Sequence, residues 1–420
     1  MFCGIPIFQR SKKYRRWFSA HPYTCTERSQ AVLLIAERTY FKVFYMKISV
    51  ITLHTVNNYG SVLQTYATQR ILEEMGHHVE IIDYWRQNNQ LQARSEVLLQ
   101  HEKLRPFRKV LKSPGISSLT EFLLKKKILW DRKPFDAFLS ERVNLTKPYH
   151  SYGELEADPP EADVYITGSD QVWNSVWNDG VEKAYFLSFV PENKRRIAFS
   201  ASIGRTALDD CETELMGSEL KKYHRISMRE ESGVQLLKDR LGIESVLTLD
   251  PTLMLSGRQW RDLCPGPSPL KDPYILVYQL NANDRMDRYA EQLAEKYHYK
   301  ILRLSYGRGN RQQKGKKWIR PSVEDFLRAF QHADCVVTDS FHATAFALNL
   351  GLNFISVPPD QFSVRMKDIL TLTHTEFKML TDYKDLSLIE RKMDQASVQA
   401  ILSEMRKTSM GYLEEALQEV

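Results

Sequence analysis

Residues 336–350 read VVTDSFHATAFALNL, and the fold is decided by how this stretch is parsed. Cys335–Thr338 is a short apolar, β-branched run of the kind that forms a buried strand, and Asp339 and Ser340 stand where a helix begins. His342 falls in the first turn of that helix. Ala343, Ala345, Phe346, Ala347, Leu348 and Leu350 make the helix apolar enough to be buried against a sheet, leaving its free N–H groups and positive dipole end at the sheet's carboxyl edge. Open α/β sheets bind ligands at that edge. A histidine and a serine hydroxyl beside unpaired backbone donors suit an anionic substrate that also exchanges a proton. The plainer reading is a capped core helix whose histidine packs against a neighbour.

Working outward, 420 residues with 43% hydrophobic and 11% aromatic side chains are enough for two or three domains with real cores. No apolar run approaches the roughly 18 residues that would span a bilayer. The net charge of +6 suggests nucleic acid until it is located. Residues 1–45 carry eight Lys/Arg against Glu27 and Glu37, a balance of +6, so the remaining 50 basic and 50 acidic residues cancel. Nucleic-acid binding is therefore not expected. Five cysteines without a CxxC pair point to reduced thiols in a cytoplasm-like compartment, with no disulfide frame and no metal cluster.

Residues 1–45 lack a clear period and stop before Met46-Lys-Ile-Ser-Val-Ile-Thr-Leu53, which reads as a first strand. We expect Met46 to be the native initiator and 1–45 to be a non-native or disordered extension. A polar turn with Asn57-Asn58-Tyr59-Gly60 follows, then an amphipathic helix over 61–75 with Val62, Leu63, Tyr66, Ile71 and Leu72 inward, and a strand at Val79–Ile82. Neither GxGxxG nor GxxxxGK[ST] is present in that turn.

Residues 86–150 read as a helical insertion. Around 119–130, Phe122, Leu123, Leu124, Ile128, Leu129 and Trp130 lie beside Lys125, Lys126 and Lys127. That helix either packs on the domain with its lysines in water or lies on a membrane surface.

A strand at Asp163–Thr167 delivers Gly168-Ser-Asp-Gln-Val-Trp-Asn174, where Asp170, Gln171 and Asn174 offer hydrogen bonds and Trp173 an indole face for a sugar. A tightly bonded structural turn explains the same residues. Further strands at Arg196–Ser200 and Ile226–Met228 lead to Arg229, which either pairs with a carboxylate or serves a site across a cleft. The first domain is expected over 46–250, a second over 251–385, and a C-terminal helix over 386–420 returning to the first. Arg303–Arg320, with seven basic residues and three glycines, reads as a mobile cationic loop.

Together these residues resemble the polysaccharide pyruvyl transferase family. The likeness covers nearly all of 46–375, through NNYGSVLQTYATQRILEEMGHHVEIIDY, GSDQVWN, SMREESG, LTLDPTLML and TDSFHATAFALNL in that order. It implies an α/β fold of two Rossmann-like β/α domains facing across a cleft, similar to GT-B glycosyltransferases. It also implies transfer of pyruvate from phosphoenolpyruvate to two hydroxyls of a sugar in a cell-surface or exopolysaccharide precursor, with phosphate released and no cofactor. On this likeness Arg229 and His342 are the donor-binding and catalytic residues, with Ser340 as a phosphate contact and His342 as proton donor or phosphate ligand. Asn58, Asp170, Gln171 and Asn174 are acceptor-side candidates.

The expected partners are phosphoenolpyruvate and a sugar or lipid-linked oligosaccharide, met in the cytoplasm or at the inner face of the membrane. One departure stands out. The family commonly has glycine after the histidine, and Ala343 here is expected to narrow the approach of phosphate to the backbone. A glycosyltransferase using a nucleotide sugar and a non-catalytic glycan-binding relative are the alternatives.

Overall fold

The computed structural model describes residues 45–90, 116–305, 313–359 and 364–418. The extension expected over 1–45 lies, Tyr45 apart, outside the described residues, as does the 91–115 part of the insertion.

Short runs of β-branched and apolar residues form two sheets. The first holds β1 (Lys47–Ile51), β2 (His78–Ile81), β3 (Val164–Thr167), β4 (Arg195–Ala201), β5 (Arg225–Met228) and β6 (Val246–Leu247), in the order β2-β1-β3-β4-β5-β6. The second holds β7 (Tyr274–Tyr278), β8 (Lys300–Ser305), β9 (Lys316–Ile319), β10 (Cys335–Thr338) and β11 (Asn353–Ser356), in the order β11-β10-β7-β8-β9. Every strand pairing is parallel. Strands such as β3, β7 and β10 are buried along their whole length, as parallel strands covered on both faces must be. This is the two-sheet, Rossmann-like α/β architecture expected from the sequence. Each order reverses once, between β1 and β3 and between β7 and β10, and the crevice outside such a reversal is where these sheets take ligands.

The helices that matter for the site are α1 (Tyr59–Glu74), α2 (Ile116–Arg142), α3 (Phe341–Leu350), α4 (Val364–Leu372) and α5 (Gln395–Gln418). The spacing of α1 predicts one apolar face, yet Gln64, Thr65, Thr68 and Gln69 are buried as well. The reason is that α1 lies between the two sheets. The Tyr59 ring stacks on Phe326 at 4.3 Å and its hydroxyl donates to the Pro321 carbonyl at 2.8 Å. The polar side chains turn inward: Gln64 donates to the Thr52 hydroxyl and the Ser61 carbonyl, which removes the cost of burying its amide N–H groups. Residues of both sheets therefore share one apolar cluster, from Ile48 and Val50 to Phe326, Val336 and Phe346. Helix α5 bridges the same seam, Tyr412 donating to the Ala198 carbonyl of β4 and Arg406 to Asn349 of α3.

The basic stretch 303–320 is not a single loop. Arg303 lies in β8, ion-paired to Asp287 at 2.7 Å and Glu291 at 3.3 Å, and Lys316–Ile319 is the edge strand β9. Arg320 pairs with Asp131 of α2. Acids on other elements thus pair with Arg303 and Arg320, and 306–312 lie outside the described residues.

Candidate active site

The carboxyl ends of β1, β3, β5 and β10 converge on one cluster. After β1, Asn58 caps α1, its side-chain oxygen accepting from the Gly60 and Ser61 N–H groups. After β10, Ser340 caps α3 by accepting from the Ala343 N–H at 3.4 Å. The two caps bring the helix starts together, so that His342 lies against Gly60. A Cβ on Gly60 would sit 2.1 Å from His342 Nδ1. Only glycine leaves room for the imidazole there.

His342 Nε2 faces the Asp250 carboxylate at 3.7 Å, an ion-pair distance beyond hydrogen bonding. Asp250 Oδ2 also accepts from Arg229 at 2.8 Å and from the Ser169 hydroxyl at 2.9 Å, while its Oδ1 accepts from the Thr252 hydroxyl and N–H. Burial alone would raise this carboxyl, but His342, Arg229 and Thr252 outweigh it and hold it far below the ordinary carboxylate range. Asp170 has a left-handed backbone with φ 74°, which turns its carboxylate onto the Ser61 hydroxyl and Arg229. Burial again pushes upward, yet Arg229, His342 and Ser61 bring its pKa below the usual value.

Of the two readings of Arg229, the structure shows the pairing with carboxylates. Its side chain is wholly buried, at 2.8 Å from Asp250, 3.4 Å from Asp170 and 3.5 Å from Glu230, and it lies over the Phe341 ring at 4.5 Å. A guanidinium so engaged holds the carboxylates in place, and Arg229 also lines the adjoining cavity. The cation left over is Arg365 at the start of α4. Its guanidinium lies 5.9 Å from the Phe341 ring centre, its Nε has no hydrogen-bond partner, and no carboxylate pairs with it among the described residues. Burial, with the Arg229 charge adding to it, lowers Arg365 to about 10. The local sequence pattern gives Arg365 no role, because nothing in it reveals that its neighbour would be another arginine.

The other candidates divide. Asp170 stands in the cluster and Asn58 at its edge as a cap. Gln171 and Asn174 instead bond each other at 2.8 Å, and Asn174 caps the short helix Ser175–Asn178. Trp173 is fully buried, donating to the Tyr185 carbonyl and stacked on Phe186, so it is no platform for a sugar. The GSDQVWN loop is the tightly bonded turn, and only its first half faces the site. Ala343 is enclosed in the shared apolar cluster. Its methyl packs into the core, and its N–H is the one held by Ser340, so the expected narrowing is not seen at the helix start.

A cavity of about 360 Å³ adjoins the Arg229–Asp250 pair, lined by Leu249, Leu253, Phe341 and Ile369 without reaching His342. Among the described residues no set of three His, Cys, Asp or Glu side chains is arranged to hold a metal ion, and no helix is long and apolar enough to cross a membrane.

The family model described as polysaccharide pyruvyl transferase matches residues 58–361, from the cap of α1 through the second sheet. The chain belongs to the polysaccharide pyruvyl transferase family. The match takes in Arg229, Asp250, Ser340 and His342, and it leaves Arg365 just outside. No curated protein matches the chain in sequence. Among solved structures, a putative UDP-N-acetylglucosamine 2-epimerase from Listeria monocytogenes is similar with TM-score 0.47 and 10% identity over 85% of this chain and 90% of that one. The UDP-GlcNAc 2-epimerase from Neisseria meningitidis has TM-score 0.45 and 11% identity over 89% and 100%. The spinosyn rhamnosyltransferase SpnG has TM-score 0.46 and 11% identity over 88% and 99%. This pyruvyl transferase family member is thus a transferase, and the candidate cluster is built from both sheets.

Proposed function

We propose that the donor is phosphoenolpyruvate and that the acceptor is a sugar of a cell-surface polysaccharide precursor, free or lipid-linked, which receives pyruvate as a cyclic ketal on two hydroxyls. The observation that carries this reading is the His342–Asp250 pair between two helix N-termini, with Arg365, unpaired among the described residues, near it. A donor with a carboxylate and a phosphate needs cationic and backbone N–H partners, and Arg365 and the start of α3 supply both.

In the proposed reaction His342 gives a proton to the methylene carbon of the donor, making an oxocarbenium-like centre at the adjacent carbon. One sugar hydroxyl adds there and returns its proton to His342. The second hydroxyl then displaces phosphate, which departs with the bonding electrons and the second hydroxyl's proton. Asp250 fixes the ring from behind, and Ser340, whose oxygen is occupied as a cap, keeps its hydroxyl proton for a phosphate oxygen. Arg229 acts as a positioning residue that keeps Asp170 and Asp250 charged.

Calorimetric titration of phosphoenolpyruvate into the wild type, His342→Ala and Arg365→Ala, with phosphate release on a panel of glycans, tests this. Arg365→Ala is expected to weaken donor binding by roughly tenfold or more, the loss of one charge-assisted contact. His342→Ala is expected to abolish turnover more than binding. Unchanged turnover in His342→Ala would refute the assignment.

A further inference from the structure

Helix α2 has two apolar faces. One packs on the core through Ile128, Phe135, Phe138 and Leu139, all buried. The opposite one carries Leu119, Phe122, Leu123, Leu129 and Trp130, each between 52% and 69% exposed. These five are among thirteen large hydrophobic side chains that are exposed among the described residues, and no other element gathers so many. At 3.6 residues per turn they form one stripe, and Lys126 and Lys133 fall inside it at the same spacing.

The charges on the helix are sorted. Lys125 and Lys127, at the margins of the stripe, pair with Glu121 at 2.7 Å and Asp131 at 2.6 Å. Lys126 and Lys133, within it, pair with no carboxylate among the described residues, and Lys126 instead lies 4.6 Å from the Phe122 ring centre. No acid interrupts the stripe. An ordinary solvated helix would not expose a tryptophan, a phenylalanine and three leucines on one side. A protein partner would be expected to meet lysines in an apolar patch with its own carboxylates, whereas lysines that can extend outward beside buried rings suit a headgroup layer.

We infer that this face of α2 docks on an anionic phospholipid surface, with Trp130, Phe122 and the leucines entering the headgroup boundary and Lys126 and Lys133 meeting lipid phosphates. The docked helix is tied to the site: Arg132, on its buried side, donates to the Thr55 carbonyl in the loop that leads to Asn58. The inference stands apart from the identity of the donor and is tested without one.

The full chain is sedimented with vesicles of phosphatidylcholine alone and of phosphatidylcholine mixed with phosphatidylglycerol. The unfolding temperature of each variant serves as an independent readout of an intact fold. Binding is expected to the anionic vesicles only, to fall with added salt, and to drop roughly tenfold or more in Phe122→Glu/Trp130→Glu, since each buried ring supplies more than a factor of ten. Lys126→Ala/Lys133→Ala should lose the salt-sensitive part while keeping its unfolding temperature. Absence of binding to anionic vesicles would overturn the inference. So would a dimer in sedimentation velocity that the Phe122→Glu/Trp130→Glu change dissolves, because the face would then belong to a second copy.

Discussion

Asp250 receives hydrogen bonds from Arg229, Ser169 and Thr252 and faces His342, and all five residues are buried. Replacing it by Asn keeps the shape and removes the charge, which leaves Arg229 short of one anion and the histidine without its backing. Breaking a buried pair in this way costs about 3–5 kcal/mol. Denaturant unfolding of Asp250→Asn at neutral pH should show a loss of that size. The pH dependence follows with its sign. Asp250 and Asp170 are both depressed in the folded chain, whereas unfolded carboxylates titrate near about 4. The unfolded state therefore takes up protons first on acidification. The stability these two groups contribute is complete above about pH 4 and is lost as the pH falls further, so the wild type should lose stability below that pH more steeply than Asp250→Asn. Gly60 lies against the same imidazole. A methyl group there would stand 2.1 Å from Nδ1 and 2.2 Å from Cγ of His342, so the ring must move. Gly60→Ala should fold and lose roughly 100-fold in turnover, the cost of misplacing a reacting group by about 1 Å, and steady-state phosphate release measures it.

Helices α1 and α3 begin where a strand ends, and both starts carry a side-chain cap. The Ser340 cap is legible in the sequence because capping is local, a short polar side chain preceding a run with helical spacing, whereas the helix expected from 61 begins at Tyr59 and Asn58, placed in the turn, is its cap. Strand β10 and the body of α3 are legible for the same reason. What the sequence conceals is the partnering of charges. Arg229 reads as either paired or serving a cleft, and its partners cannot be named from sequence because its three carboxylates come from the ends of β3, β5 and β6, up to 59 residues away. Arg303 and Arg320 read as a cationic loop because Asp287, Glu291 and Asp131 reach them from other elements. Asp250 reads as a domain exit for the same reason. At the element scale the two caps are testable together. Asn58→Ala removes the acceptor for two N–H groups of α1 and is expected to cost about 1 kcal/mol of stability. Because the same cap sets where Gly60 meets His342, turnover should fall more than stability does, and parallel unfolding and activity measurements on this variant would separate the two effects.

The two sheets meet through side chains that belong to neither alone. Tyr59, from the first turn of α1, stacks on Phe326 with the rings 6° from parallel, touches Phe135 of α2 at 4.8 Å and bonds the Pro321 carbonyl. Helix α5 ties β4 to α3 across the same seam. With one continuous apolar cluster the halves cannot part without exposing that core to water, so the site at their junction is held assembled in the absence of ligand. This explains why Gly60 of the first half can sit in contact with His342 of the second, a closeness that a loosely hinged pair would not maintain. It also predicts how the molecule unfolds. The halves should melt as one cooperative unit, with backbone circular dichroism and tryptophan fluorescence following a single urea transition. Tyr59→Ala should lower stability by about 3–5 kcal/mol, the cost of emptying a buried aromatic site, and should separate the two signals as the seam weakens. Tyr59→Phe keeps the stack and gives up only the bond to Pro321, so it should cost about 1 kcal/mol and leave the transition single. Two separate transitions in the wild type would mean that the shared cluster does not couple the sheets, and the preassembled junction would have to be abandoned.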